Sequence, residues 1–284
     1  MSISTDTDLA SLHDQLRGIR YYAVVEGKRI CEGIAPLVVE HTTAAGRVLA
    51  VKVTERGNID KSEADMMHHA ATHGIRAPMV LGWYEIHTHR PTKPVAVAMV
   101  SDKVPGVPLA DVWLGLSKEA QASIKLQLRD QLQRMRNCTQ PYIGCINRQP
   151  VRNTYDRLFI HYCGPFEKEE EFDNWCLARI NKGSISQWKW KKFLQREREK
   201  SRKKDFVLTH GDLSPRNILV QDGVVTGIID WERSGFFPTY VEYAFAMVLC
   251  HSHEDWWIPV LKEILEPCSK DRLQFTRLVE DRGW

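Results

Sequence analysis

Apolar positions keep strand-like spacing through the first third of the chain and change to helical spacing in the middle. The runs YYAVV (21–25), APLVVEHT (35–42) and RVLAVKV (47–53) are β-rich and are broken by Gly27, Gly33 and Gly46, which predicts a small sheet. In IDKSEADMMHHAATHG (59–74), Asp60 or Ser62 can serve as N-cap, Gly74 stops the pattern and Pro78 follows, so one helix is expected. A strand and helix pair should then lead to KPVAVAMVSD (93–102), an apolar run of strand length. At Lys103–Leu109, KVPGVPL sets two prolines around a glycine and marks a hinge. Beyond it, SKEAQASIKLQLRDQLQRMRNC (117–138) spaces Ile124, Leu128, Leu132 and Met135 as one buried helical stripe. Three short β-branched runs follow, DFVLTH (205–210), NILV (217–220) and VVTGIID (224–230), with the hairpin signal Asp222-Gly223 between the last two. From Glu242 to Trp284 the spacing is again helical. The pattern describes an α+β chain with a β-rich part at 1–102 and a larger, mainly helical part at 103–284.

Composition narrows the class. A length of 284 residues suits one two-lobed unit, and 39 Lys and Arg against 36 Asp and Glu leave a net charge of only +3. That is far from the basic excess of a nucleic-acid binder. No apolar stretch approaches the roughly 20 residues of a membrane span, and the polar N-terminus lacks the apolar core of a signal peptide. Seven Cys without a C-x-x-C read as free thiols in a reducing compartment. The expectation is a cytoplasmic protein without nucleic-acid or membrane partners.

The chemistry lies in VLTHGDLSPRNILVQDGVVTGIIDWE (207–232). His210, Asp212 and Asn217 occupy a loop between two strands, and Asp230 ends the second arm of the hairpin. If Val220 pairs with Val225, Asn217 faces Ile228 and Asp230 projects past the hairpin end toward Asp212. Two carboxylates and an amide oxygen then converge. Phosphoryl transfer asks little more of a protein: a carboxylate to orient the attacking hydroxyl, and hard oxygens to hold Mg2+ against phosphates.

HGDLSPRN followed by IIDWE resembles the catalytic loop and metal-binding Asp of the kinase-like superfamily. Gly after the His, and Trp231-Glu232 after the second Asp, are similar to the aminoglycoside phosphotransferase and choline kinase branch, closest to its fungal-type members. The resemblance implies a two-lobed protein-kinase-like fold and an ATP-dependent, Mg2+-requiring transfer to a small-molecule hydroxyl acceptor, such as an amine, an aminoglycoside or a choline-like compound. It implies Asp212 as the base, Asn217 and Asp230 as metal ligands, and Lys52 with Glu63 as the pair anchoring the phosphates. Adenine would lie against the backbone from Met99 through Ser101 to Lys103. Read alone, Lys52 is a solvated strand residue and Glu63 half of a capping box with Asp60.

Departures and competing readings stand beside this. No G-x-G-x-x-G precedes Lys52, so the phosphate-covering loop has another design and ATP is not separated from GTP. Ser214 stands where protein kinases commonly carry Lys; Arg216 either compensates or pairs with a carboxylate. His210 reads as a loop-shaping residue rather than a proton carrier. Glu232, Glu242, Glu254 and Asp255 form an acidic pocket for an amine or are separate surface carboxylates. The basic segment WKWKKFLQREREKSRKK (188–204) fits a solvated amphipathic helix, the Trp runs at 188 and 256 fit core packing, and His69/His73, His87/His89 and His251/His253 are incidental pairs. The short connection after Asp230 and the missing A-P-E argue against a peptide substrate. A nucleotide-binding pseudokinase is the remaining alternative.

Overall fold

A computed structural model describes residues 28–30, 37–55, 60–87, 94–156, 160–180, 184–200, 205–249 and 254–281. The run at 21–25, Gly27 and Gly33, His89, and the pair His251/His253 lie outside them. Five antiparallel strands build the first sheet: β1 (Lys28–Arg29), β2 (Leu37–Thr42), β3 (Val48–Glu55), β4 (Val80–His87) and β5 (Pro94–Asp102), in the order β1-β2-β3-β5-β4. Side chains alternate between its faces. Leu49, Val51 and Val53 of β3 meet Ala96, Ala98 and Val100 of β5 in a cluster of their own. Lys52 and its register partner Met99 fall on the other face. There α1 (Lys61–Thr72) packs Ala64, Met66, Met67 and Ala70 into the same core as Val97 and Met99. Asp60, not Ser62, caps α1, accepting a hydrogen bond from the Ser62 N–H at 3.2 Å.

Between α1 and β5 the described residues hold one strand and no helix, in place of the expected strand and helix pair. Residues 80–87 pair with β5 from Val80↔Ser101 to His87↔Pro94, and this long-range ladder uses the whole stretch. At KVPGVPL the chain passes from the first sheet to another. β6 (Val107–Pro108) leaves the first sheet and pairs with Leu219 and Val220. Gly106 sits at φ +107, and a Cβ there would lie 2.4 Å from the Val220 carbonyl oxygen, so only glycine allows this crossing.

The second part contains α2 (Leu109–Val112), α3 (Lys118–Asn137), β7 (Thr139–Gln140), β8 (Val151–Arg152), β9 (Tyr162–Cys163), α4 (Glu169–Arg179) and α5 (Ser184–Lys200). β10 (Phe206–Thr209), β11 (Ile218–Gln221), β12 (Val224–Ile228), β13 (Gly235–Phe237), α6 (Val241–Val248), α7 (Trp257–Ile264) and α8 (Lys270–Glu280) complete it. Its strands form two three-stranded sheets, β13-β10-β7 and β12-β11-β6, and the pair β8-β9. Ile124, Leu128, Leu132 and Met135 of α3 are buried, as their spacing predicts. Arg272 of α8 is buried between Asp173 (2.7 Å) and Glu169 (2.6 Å) of α4, and Asp173 also pairs with Arg198 of α5. On α5, Trp190 packs against Phe275, whereas Trp188 is exposed beneath Lys192, so the WKW run is only partly core. The five described cysteines carry free thiols. No helix among the described residues is long and apolar enough to cross a membrane.

Candidate active site

The loop between β10 and β11 is held from beneath. Glu242, in the first turn of the otherwise apolar α6, accepts the His210 N–H at 2.6 Å and the Gly211 N–H at 3.0 Å through its two oxygens. Gly211 takes φ +80, and a Cβ there would lie 2.5 Å from the Arg233 carbonyl oxygen. The next residue is Asp212. Its N–H donates to His210 Nδ1 (3.2 Å), so His210 carries its proton on Nε2 and donates it to the Ile229 carbonyl at 3.0 Å. Burial lowers the imidazole pKa against the pull of Asp212 and the Ile229 carbonyl, which keeps the ring neutral. His210 therefore shapes the loop and spans its two sides. Asn217 Nδ2 donates to the Asp212 carbonyl at 3.1 Å, leaving Oδ1 as the side chain's acceptor.

The β11–β12 hairpin turns at Asp222 (φ +49) and Gly223 (φ +77), and Val220 pairs with Val225 as expected. Beyond that pair the register differs from the uninterrupted count. A bulge adds Thr226, so Leu219 faces Gly227 and Ile218 faces Ile228. Asn217 consequently meets Ile229, accepting its N–H at 2.8 Å, rather than Ile228. One inserted residue exchanges the two faces of the strand. The extra residue is tied to the hinge, Thr226 Oγ1 donating to the Pro105 carbonyl at 2.6 Å. Asp230 follows at φ +65.

Lys52 Nζ lies 2.8 Å from Glu63 Oε1 and 3.4 Å from Asp230 Oδ1. Burial disfavours the Lys52 charge, but Glu63 and Asp230 outweigh it and hold the ammonium well above its ordinary pKa. Burial pushes the Glu63 carboxyl up to about 7 against the attraction of Lys52. Its second oxygen, Oε2, is buried with no hydrogen-bond partner among the described residues. Asp230 Oδ and Asn217 Oδ1 are hard oxygen donors, and no group of three or more His, Cys, Asp or Glu suited to a metal occurs among the described residues. Two protein oxygens suit Mg2+, which keeps most of its shell for phosphate and water, better than a metal held in an all-protein cage.

Met99 and Ser101 lie inside the ladder rather than in the hinge. Met99 pairs with Lys52 and Trp83, and Ser101 with Ala50 and Val80, so both backbones are committed to neighbouring strands. The acidic-pocket expectation also meets a different arrangement. Glu242 is buried under the loop, Glu232 pairs with Arg152 at 2.6 Å, and Glu254 pairs with Arg216 at 2.8 Å. Arg216 thus takes the carboxylate-pairing role of its two alternatives. The rings of His69, in the last turn of α1, and His73, its C-cap, lie 3.9 Å apart, tilted by 37°.

Two neighbours of the loop were not read from the sequence. Arg233 approaches Asp212 at 3.9 Å, and nothing in its spacing signals this. For Glu242 a signal exists: a lone carboxylate in the helix VEYAFAMV must find a partner once buried.

Similarity to known proteins covers the same chain. The phosphotransferase enzyme family (APH) matches residues 26–266. An aminoglycoside 3'-phosphotransferase of Streptomyces fradiae is 26% identical over 246 residues, covering 82% of this chain and 83% of the relative. The solved aminoglycoside phosphotransferase APH(4)-Ia aligns with a TM-score of 0.57 at 14% identity, over 98% of this chain and 90% of that one. A thermostable mutant of it, in a ternary complex with ADP and hygromycin B, aligns with a TM-score of 0.57 at 16% identity, over 98% and 89%. These alignments share the α+β fold, a β-sheet part followed by a helical part.

Proposed function

The chain belongs to the phosphotransferase enzyme family, and we propose that it moves the γ-phosphoryl group of ATP to a hydroxyl of a small molecule. One observation carries this reading. Glu63 of α1 and Asp230, separated from Lys52 by 11 and 178 residues, converge on one ammonium beside the loop that holds Asp212 and Asn217. In the proposed reaction Lys52, steadied by Glu63, neutralises phosphate oxygens. Asn217 and Asp230 would hold Mg2+, which would supply positive charge against the phosphates. Asp212 orients the acceptor hydroxyl and takes its proton as the new oxygen–phosphorus bond forms and the bond to the ADP oxygen breaks. Met99 and Ser101 act through packing under the nucleotide, and the base is read by the chain that leaves β5.

Glu232 and Glu254 already have arginine partners, and Glu242 is turned inward. Among these carboxylates only exposed Asp255 has no partner among the described residues. That favours acceptors of low positive charge over polycations. An ATP-consumption screen should therefore set neutral polyols and choline analogues against aminoglycosides. The role of Asp212 is tested in Asp212→Asn, which keeps shape but removes charge. Magnesium-ATP affinity should hold while turnover falls by roughly a hundredfold to ten-thousandfold. Native turnover in this variant removes Asp212 as the base. Tight ATP binding by the wild type with no transfer to any acceptor supports a pseudokinase instead.

A further inference from the structure

The sheet holds α1 through His68, whose Nδ1 meets the Val80 carbonyl at 3.1 Å. The opposite attachments come from a distant segment, residues 142–152, which comprises a 3-10 turn at Ile146–Arg148 and β8. Ile146 N–H donates to Met66 Sδ at 3.2 Å, and Gln149 Nε2 donates to Asp65 Oδ2 at 2.8 Å. Asn147 and Arg148 are successive left-handed residues (φ +59 and +57). L-residues take that conformation when their surroundings impose it, and here it turns the chain between the Ile146 and Gln149 contacts.

The same segment grips the chain that follows Asp230. Gly144 and Phe236 exchange backbone hydrogen bonds at 3.2 and 2.8 Å. Cys145 Sγ donates to the Ser234 carbonyl at 3.4 Å, and Arg152 pairs with Glu232 at 2.6 Å. Glu63 and Asp230, which meet at Lys52, thus belong to two elements joined by one clasp.

We propose that residues 142–152 set the separation of Glu63 and Asp230, and with it the seat of Lys52, with Gln149 as a positioning residue for nucleotide binding. The kinetic consequence rests on the reading of Lys52 as the phosphate-binding lysine; the structural consequence does not. With the clasp closed, α1 is held in place before nucleotide arrives. With it weakened, α1 keeps its packing on the sheet but is held less firmly to the second part of the chain.

The test is the variant Gln149→Ala in the full chain. Amide hydrogen exchange across 61–72 should accelerate about fivefold, the loss expected for one hydrogen bond of ordinary net strength, while β10 and β13 exchange as in the wild type. The Michaelis constant for magnesium ATP should rise by a similar factor, with that for the acceptor unchanged. Unchanged exchange in α1 overturns the clasp. Equal acceleration in α1 and β10 overturns it too, because the effect is then general loosening. If α1 loosens but ATP kinetics stay native, its positioning role for nucleotide fails. Should the wild type transfer no phosphate at all, the proposed reaction fails, and the exchange comparison together with calorimetric titration of magnesium ATP decides the clasp.

Discussion

Replacing Glu242 by Gln tests how the candidate catalytic loop is supported. The carboxylate accepts two buried backbone N–H groups, from His210 and Gly211. Burial raises its pKa from 4.5 to about 7 against those hydrogen bonds. The sign follows from linkage. Between pH 4.5 and 7 the folded chain keeps a proton that the unfolded chain has released, so this group's stabilisation is full below 4.5 and is lost as pH rises through 7. The displacement corresponds to roughly 3 kcal/mol at about 1.4 kcal/mol per pKa unit. Gln has no proton to lose. The wild-type melting temperature minus that of Glu242→Gln should therefore fall between pH 5 and 8, by on the order of 6–12 °C at roughly 2–4 °C per kcal/mol. Glu63, whose carboxyl burial also raises, titrates in both proteins and cancels in the difference. The assay is thermal unfolding at pH 5, 6, 7 and 8 on both proteins in one buffer series. Parallel curves would refute the reasoning, since the two amide hydrogen bonds would then hold Glu242 ionised throughout.

Gly211→Ala puts a Cβ 2.5 Å from the Arg233 carbonyl at φ +80, which adds about 1–2 kcal/mol of backbone strain before any displacement; turnover at saturating ATP should drop at least about tenfold, and native turnover there would show that the loop tolerates the shift. Arg272→Met removes a buried cation and leaves Asp173 with Arg198 alone. Stability by urea unfolding should fall by about 3–5 kcal/mol, and a loss below about 1 kcal/mol would mean that the network is not a structural tie. The double variant Arg272→Met/Asp173→Leu should lose less than Arg272→Met does.

Much of the architecture was legible along the chain because it is written within a few residues. The Ile124, Leu128, Leu132 and Met135 stripe needs only helical spacing, and Asp222-Gly223 makes a hairpin because both positions take positive φ. The order of His210, Asp212, Asn217 and Asp230 names the candidate site before any fold is known. What the tertiary structure decided depends on contacts that no local pattern encodes. The bulge at Thr226 moves Asn217 from Ile228 to Ile229, and the ladder with β5 turns a predicted strand and helix into one strand. Glu242 reaches back 32 residues to the His210 amide, and Gln149 reaches back 84 residues to Asp65. Spacing and turn preferences act over one or two turns of chain, whereas a buried carboxylate or amide takes whichever partner packing brings within 3 Å. Sequence alone therefore named Lys52, Glu63, Asp212, Asn217 and Asp230 as candidates, and only the packed chain decided what they touch.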